Sequence, residues 1–429
     1  MERDADVVVV GAGIVGCATA YFLARRGVRV VVVERGPAAG EQSRKNWGFV
    51  RQQGRDPLEM PLVMEANRLW QGLERELGAD VEWVQGGNLA LAADEARMAR
   101  LEAWLPVARE FGLDTRLLRA RDLDAVVPGL AGGWVGGMHT PGDGHADPEK
   151  ATDAFARAAV AHGARLHLEC AVQAVTTQDG AVASVVTERG EVRTPTVVCA
   201  AGAWSARLAR PLGLDLPQRW VRGTVARTTP APAVTACAVW GPGVAFRQRR
   251  DGSFTIAAGG ALDHDVTLDS LRQLRFFLPN YWKNRALFRF HVGRPLLASL
   301  AAALPGSPAR RRSLVWDRGL EPRPNPAKVR RSLAELHRVL PALPPLGIAR
   351  SWAGYIDAAP DLVPVLGEVD RPRGFVLATG FSGHGFAMGP IAGRLVAELI
   401  VDGKPSIDIA GFRFSRFAEG AIGRPRNVL

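Results

Sequence analysis

The sequence has few cysteines and no long apolar run. Its four cysteines stand far apart without a C-x-x-C pair, which predicts neither a zinc site nor a disulfide framework. No stretch of about 18 uncharged apolar residues occurs, so we expect no membrane span. A strand is predicted almost at the first residue, and we expect no cleaved signal. These absences predict a cytoplasmic protein that binds no metal.

Acidic residues are also outnumbered, which gives a net charge of +11. The excess is almost all arginine, and it is dispersed without a nucleic-acid-binding motif, so we expect no nucleic-acid partner. The length of 429 residues exceeds the size at which a single core keeps growing. Two domains are therefore predicted, one of them interrupted by the other.

The N-terminal region is predicted to run through a strand, a glycine turn, a helix and a second strand. Residues 6–10 are rich in β-branched side chains, which is typical of a strand buried on both faces. Residues 14–26 predict a helix that Gly27 ends, and residues 28–33 predict another buried strand.

The glycine turn has the spacing of a dinucleotide site. Gly11 makes the tight turn, Gly13 lets a pyrophosphate approach the backbone, and Gly16 lets helix and strand pack closely. The N-terminus of the helix supplies N–H groups and partial positive charge for phosphates. Glu34, about 20 residues further on, is placed to accept hydrogen bonds from ribose hydroxyls.

A second glycine turn lies far downstream. Residues 374–379 predict a strand, and residues 380–385 open a helix that continues to about residue 401. The start of this helix has no evident task except to contact a ligand. Residues 35–43 are too polar and too rich in glycine to continue the first sheet, and they predict a loop that covers the cofactor.

Motifs of one flavoprotein superfamily are spread over nearly the whole chain. They are the first glycine turn with Glu34, residues 43–51, residues 198–205, Arg222-Gly223, residues 350–354 with Pro360-Asp361 and Pro364, and residues 380–386. With these motifs the sequence resembles the D-amino-acid oxidase superfamily, and within it the sarcosine oxidase and glycine oxidase branch.

The resemblance implies an α/β fold, α+β overall, in which a Rossmann-type FAD-binding domain carries an inserted antiparallel-sheet substrate domain. The implied FAD-binding domain comprises residues 1–85, 148–216 and 347–429. The implied substrate-binding domain comprises residues 86–147 and 217–346.

The resemblance also implies the pose of FAD. Its adenosine would contact Glu34, its adenine the backbone of Val172, and its isoalloxazine residues 43–48 and 383–386. Reduction leaves negative charge near the flavin N1, which N–H groups at a helix start stabilise. The implied cofactor-binding residues are Gly11, Gly13, Ile14, Val15, Gly16, Glu34, Arg35, Ser43, Asn46, Trp47, Gly48, Val172, Ala201, Gly202, Trp204, Gly354, Gly380, Gly383, His384, Gly385 and Phe386.

Some flavins of the superfamily are tethered through a histidine of the early loop or through a cysteine near the position of Trp352. Neither residue is present here, because residues 44–47 read Arg-Lys-Asn-Trp and the later segment has no cysteine. Non-covalent FAD is therefore predicted.

Arg51 occupies the position at which the resembled sarcosine oxidases bind the substrate carboxylate, and a guanidinium matches a carboxylate bidentately. The alternative is a structural arginine paired with an acidic residue. Ala387 stands where sarcosine oxidases have a second, lysine ligand, and Tyr355-Ile356 stands where glycine oxidases have an arginine. Either the substrate is not a simple small amino acid, or Arg222, Arg247 or Arg294 replaces the missing cation.

Two further residues are predicted to act beside the flavin. His384 is a candidate to accept or relay a proton, because imidazole titrates near neutral pH. The equal alternative is that only the backbone of His384 contributes to the site. Tyr355 is a candidate pocket wall or hydrogen-bond donor, with core packing as the alternative. Residues 268–304 mix basic and aromatic side chains, which indicates a packed helix, a lid or, less readily, contact with a membrane surface.

The predicted activity is oxidation of a C–N bond in an amino acid or N-substituted amine, by hydride transfer to flavin N5 to give an imine that hydrolyses. Oxygen or a quinone would accept the electrons. Two alternatives stay open: a 2-hydroxy acid dehydrogenase on the same fold, and a flavin-bound subunit of a larger complex.

Overall fold

The computed structural model describes residues 1–259, 262–278, 288–304 and 322–426. Its strands in chain order are β1 (Val7–Val10), β2 (Val30–Val33), β3 (Phe49–Val50), β4 (Asn88–Ala92), β5 (Arg116–Arg119), β6 (Gly136–Thr140), β7 (Gly144–His145), β8 (Arg165–His167), β9 (Val172–Gln178), β10 (Ala181–Thr187), β11 (Gly190–Arg193), β12 (Thr196–Cys199), β13 (Arg219–Thr228), β14 (Ala238–Trp240), β15 (Val244–Gln248), β16 (Phe254–Ala258), β17 (Leu262–Asp265), β18 (Phe288–His291), β19 (Ile348–Ala358), β20 (Val365–Glu368) and β21 (Phe375–Thr379).

The helices pack on one another and on the sheets. They are α1 (Ile14–Ala24), α2 (Gln42–Lys45), α3 (Met60–Leu77), α4 (Glu95–Glu102), α5 (Leu105–Glu110), α6 (Pro148–Ala161), α7 (Ser205–Ala209), α8 (Leu268–Arg272), α9 (Arg294–Ala303), α10 (Pro326–Val339) and α11 (Gly385–Asp402). No helix in the described part of the chain is both long enough and apolar enough to cross a membrane.

A six-stranded sheet in the order β20-β21-β12-β1-β2-β8 forms the Rossmann-type part. All its pairs are parallel except the edge pair of β20 with β21. β1 and β2 are runs of four buried valines, as expected for central strands covered on both faces. The predicted strand, glycine turn, helix and strand are confirmed, although α1 ends at Ala24 and β2 begins only at Val30.

The starts of the two glycine-turn helices are held side by side. α1 and α11 cross so closely that a Cβ on Gly393 would lie 2.5 Å from the backbone nitrogen of Thr19. A Cβ on Gly389 would lie 2.7 Å from Cγ1 of Ile14, the first residue of α1. Glycine at these positions therefore brings both helix N-termini to the same edge of the sheet.

The larger sheet is mostly antiparallel, in the order β18-β17-β13-β16-β15-β14-β4-β6-β5, with β19 paired along β13. It combines strands from both chain segments assigned to the substrate domain. The predicted boundary at residue 347 assigns β19 to the other domain, whereas the structure pairs β19 with β13 from Ile348 to Ala358. This pairing joins segments more than a hundred residues apart, which local sequence does not reveal.

The basic and aromatic stretch 268–304 is described except for residues 279–287. Phe277 is buried, and the guanidinium of Arg219 lies 4.1 Å from the centre of its ring. In α9, Leu297 and Leu300 are exposed. Part of the stretch therefore packs against the rest of the protein.

Candidate active site

A single cavity of about 1420 Å³ runs from the carboxyl ends of β1, β2 and β12 to the inner face of the larger sheet. This edge of a parallel sheet is where open α/β folds bind ligands. The predicted site residues that line it are Gly11, Gly13, Ile14, Val15, Glu34, Arg35, Ser43, Asn46, Trp47, Arg51, Val172, Ala201, Gly202, Trp204, Gly354, Tyr355, Gly383, His384, Gly385 and Phe386.

Three predicted cofactor-binding residues, Gly16, Gly48 and Gly380, lie behind the wall of the cavity. A Cβ on Gly16 would lie 1.9 Å from the carbonyl oxygen of Gly11, and one on Gly48 would lie 2.4 Å from that of Ala146. Gly16 and Gly48 therefore permit close backbone packing beside the cavity.

The first glycine turn forms an anion cradle. Gly11 has φ +108°, and a Cβ on it would lie 2.5 Å from the carbonyl oxygen of Ala200. The N–H of Ile14 donates to Oγ of Ser43 at 2.8 Å, so the hydroxyl stands directly at the start of α1. Gly13 lines the cavity, and a Cβ on it would lie 2.9 Å from this Oγ. Such a helix start is suited to a pyrophosphate.

Glu34 is fixed in the cavity wall at the end of β2. Its two carboxylate oxygens accept hydrogen bonds from the N–H groups of Ala12 at 2.8 Å and Gly36 at 2.9 Å. Burial raises the pKa of Glu34, and these two N–H groups oppose that shift. The neighbouring Arg35 guanidinium lies 3.8 Å from the ring centre of Trp204.

A buried network that the sequence analysis missed joins three parts of the wall. Asp357 accepts hydrogen bonds from Nε2 of Gln42 at 2.9 Å and from the N–H of Gly380 at 2.8 Å. Oε1 of Gln42 accepts from the N–H of Ala203 at 2.8 Å. Burial raises the pKa of Asp357. Its only sequence signal is a carboxylate within a strand, two residues after Tyr355.

Two buried guanidinium groups line the cavity beyond the predicted flavin position. Arg51 is 5% exposed, and its Nη1 donates to the carbonyl oxygen of Gln53 at 2.5 Å. Arg55 is 3% exposed, and its buried Nη1 has no hydrogen-bond partner among the described residues. Burial lowers the pKa of Arg51 well below its usual range, and the like charge of Arg55 lowers it further. The pair is therefore a site that an anion would stabilise.

His384 is anchored by a carboxylate that the sequence analysis also missed. Its Nδ1 lies 3.1 Å from Oε1 of Glu59, which is fully buried. Burial, together with the charge of Arg55, lowers the pKa of His384 to about 4. Burial acts to raise the pKa of Glu59, but His384 and Arg55 lower it overall. At neutral pH the Nδ1–H of a neutral imidazole donates to ionised Glu59, which leaves Nε2 as an acceptor.

Aromatic side chains form the remaining wall near Arg51. The rings of Trp47 and Trp240 lie 4.7 Å apart, and the Arg51 guanidinium lies 5.2 Å from the ring centre of Trp240. Tyr355 is buried in β19 with its ring 5.0 Å from that of Trp220. Both predicted roles of Tyr355, wall and packing partner, fit this position.

The cations considered as replacements for the missing carboxylate ligand lie elsewhere. Arg222 pairs with Asp265 at 3.4 Å, Nε of Arg247 donates to the carbonyl oxygen of Trp47 at 2.7 Å, and Arg294 begins α9; none of the three lines the cavity. Ala387 is buried in the core. Instead, the buried cation nearest to Arg51 in the chain that also lines the cavity is Arg55, four residues after it.

The glycine cradle, the fixed Glu34 and a cavity large enough for a dinucleotide together define a dinucleotide-binding oxidoreductase. A family model described as FAD dependent oxidoreductase matches residues 6–399. The chain belongs to this family, and FAD is its cofactor.

The relatives agree with the sarcosine oxidase and glycine oxidase branch. Glycine oxidase of Geobacillus kaustophilus is 27% identical over 99% of this chain and 100% of its own length. Mitochondrial sarcosine dehydrogenase of Mus musculus is 27% identical over 97% of this chain. This chain spans only 42% of that dehydrogenase.

The solved structure of L-amino acid deaminase from Proteus vulgaris superposes with a TM-score of 0.90 at 27% identity, covering 97% of this chain and 98% of that chain. Together with the family match, these similarities confirm the predicted fold class and the prediction of an FAD-dependent oxidoreductase.

Proposed function

We propose that this enzyme oxidises the C–N bond of an amino acid or an N-substituted amino acid. When bound, FAD supplies a two-electron acceptor that takes the hydride from the substrate carbon. The carbon–nitrogen single bond becomes the double bond of an imine, which water hydrolyses to a carbonyl compound and ammonia or, from an N-substituted substrate, an amine. The observation that carries the proposal is the pair Arg51 and Arg55, buried in the cavity wall close to His384.

The two guanidinium groups account for recognition of the carboxylate. A buried cation costs several kcal/mol unless a partner compensates it. The buried carboxylates of Glu59 and Asp143 compensate in part, since both oppose the lowering of the Arg51 pKa. The unpartnered Nη1 of Arg55 supports a ligand oxygen as the missing acceptor. A carboxylate held here would orient the substrate carbon within the cavity.

His384 and Glu59 account for the amine end. Hydride leaves only from the neutral amine, so in this proposal the ammonium proton passes to water before the amine binds beside His384. In this proposal Nε2 of His384 accepts the hydrogen bond from the nitrogen, and ionised Glu59 keeps the imidazole in the required tautomer. Tyr355 and Trp47 limit the space around the substrate.

The cofactor in this proposal is bound without a covalent link. Gly11, Gly13 and Ser43 hold the pyrophosphate, and Glu34 holds the ribose. In the loop that would otherwise carry a tether, Nζ of Lys45 donates to Glu41 at 3.0 Å. The electron acceptor is proposed to be oxygen or a quinone, and a cytoplasmic location stays a prediction.

The test is the anaerobic visible spectrum of the purified protein before and after addition of primary amino acids, N-methyl amino acids and the matching 2-hydroxy acids. Bleaching by amino compounds supports the proposal. Bleaching by the hydroxy acids alone would replace it with a hydroxy acid dehydrogenase. A flavin that stays oxidised throughout would instead favour a subunit that needs a partner. Admitting oxygen or a quinone to the bleached sample identifies the acceptor.

A further inference from the structure

The cavity carries more basic side chains than one carboxylate needs. In addition to Arg51 and Arg55, four basic residues on two helices line its outer part, which we call the basic mouth: Arg97 and Arg100 on α4, and Lys328 and Arg331 on α10. Each pair is spaced by three residues, so both members lie on one face of their helix. The two helices thus present positive charge to the same space.

Neighbouring residues interact with part of this charge. Asp263 pairs with Lys328 at 2.7 Å, and Asp94 accepts the backbone N–H of Arg97 as the N-cap of α4. Neither Arg100 nor Arg331 forms an ion pair with another residue in the described ranges. Burial and then the charge of Arg100 lower the pKa of Arg97, whereas the charge of Asp94 opposes them.

The basic mouth continues the positive field of the inner pair. The charge of Arg97 contributes to lowering the pKa of Arg51, so the two sites lie within electrostatic reach of each other. Burial decreases outward, from Arg51 and Arg55 through the half-buried Arg97 to the exposed Arg100 and Arg331. A cleft with one sign of charge and low-dielectric walls concentrates ligands of the opposite charge.

We propose that the substrate carries a second carboxylate, on its side chain or on its N-substituent, and that the basic mouth binds it. This inference rests on the proposed function, because it places the first carboxylate on Arg51 and Arg55. A dicarboxylic amino acid would satisfy both sites at once, whereas its neutral amide would bring no negative charge to Arg100 and Arg331.

The first experiment compares anaerobic flavin reduction by matched pairs: glutamate against glutamine, aspartate against asparagine, each as both enantiomers, and N-carboxymethylglycine against N-methylglycine. We expect the acid to exceed its neutral partner in kcat/KM by about tenfold or more, the range of a charge-assisted hydrogen bond. The advantage should shrink as salt is added, since exposed charges are screened.

Variants locate the effect. Arg331→Gln and Arg100→Gln should each reduce the ratio of acid to amide several-fold while changing kcat/KM for the amide little. The matched control is Arg330→Gln, because Arg330 is exposed on the same helix but does not line the cavity. An acid advantage that survives both mouth substitutions would overturn the inference.

A binding measurement keeps the two proposals separable. Glutarate and butyrate, which cannot be oxidised at a C–N bond, are titrated against the flavin spectrum of the holoenzyme. Tighter binding of glutarate, weakened by Arg331→Gln but not by Arg330→Gln, supports the basic mouth even if no amino compound reduces the flavin. Equal reduction by acids and amides, with equal binding of glutarate and butyrate, overturns the inference and leaves the proposed function intact.

Discussion

The imidazole Nδ1 of His384 lies 3.1 Å from Oε1 of Glu59, although the two residues are 325 positions apart in the chain. Glu59 ends a short 3₁₀ turn, Pro57–Glu59, and His384 immediately precedes α11. The charge of Arg55 acts on both partners. The groups assigned to the carboxylate and to the amine of the substrate therefore form one electrostatic unit.

Replacing Glu59 by glutamine should lower the pKa of His384 below its value of about 4, because the carboxylate is what raises it. We also expect kcat/KM to fall about ten- to a hundredfold, since the imidazole loses its fixed tautomer. Nitrogen NMR of the labelled imidazole and steady-state kinetics measure the two effects. Glu65→Gln, which removes a surface partner of Arg394, is the control. An unchanged His384 titration would contradict the assignment.

Replacing Arg51 by lysine keeps the charge but removes the planar fork. We expect the KM of the amino-acid substrate to rise about ten- to a hundredfold, the cost of a lost charge-assisted hydrogen bond, while the affinity for FAD stays the same. Arg222→Lys is the matched control, because Arg222 pairs with Asp265 outside the cavity. Equal KM values for the two variants would remove Arg51 from the substrate site.

Replacing Gly11 by alanine should weaken FAD binding and lower the free energy of unfolding by about 3 kcal/mol, because the backbone is left-handed and the Cβ collides with a carbonyl oxygen. Gly27→Ala tests the backbone effect alone, because Gly27 has φ +77° and no atom within 4 Å of the added Cβ. Its cost should be about 1 to 2 kcal/mol, with full FAD affinity. Denaturant unfolding and flavin fluorescence distinguish the two.

Asp143 should give the protein a specific dependence of stability on pH. It is fully buried and accepts the N–H groups of Gln52 and Gln53, and burial raises its pKa to about 6. Between about pH 4 and 6 the folded state therefore holds a proton that the unfolded state has released, so stability falls as pH rises.

The measurable consequence concerns the free energy of unfolding, whose difference between the natural protein and Asp143→Asn should change with pH. The free energy of unfolding of the natural protein should fall by up to about 3 kcal/mol relative to the variant from pH 4 to 6. Urea denaturation at constant excess FAD measures it. Asp122→Asn, at an exposed position, is the control, and its free energy of unfolding should depend on pH as that of the natural protein does. If Asp143→Asn also showed the pH dependence of the natural protein, the burial effect would be contradicted.

The sequence predicted the parts of the site that local chemistry determines. The first glycine turn needs no tertiary information, because its conformation, its helix and Glu34 all lie within one short segment. The same holds for the glycine turn before α11. The comparisons confirm the fold and the cofactor that these motifs indicated, whereas the roles of the individual residues stay predictions.

Residues whose position depends on distant packing were not found. Glu59 belongs to no motif, and it becomes part of the site only because α11 lies against the turn that carries it. Arg55 was passed over in favour of Arg222, Arg247 and Arg294, because the sequence does not show which side chains face the cavity. Asp357 lies in β19, which pairs with the distant strand β13. The local sequence therefore does not show that Asp357 faces the site.

That pairing has a consequence for how molecules enter and leave. β19 runs alongside β13 in the larger sheet, and its Asp357 is hydrogen-bonded to Gln42 and Gly380 beside the six-stranded sheet. A hinge that swung the sheets apart would have to break these bonds. We therefore expect the two sheets to stay together during each turnover. Substrate and product would enter and leave by diffusion along the cavity.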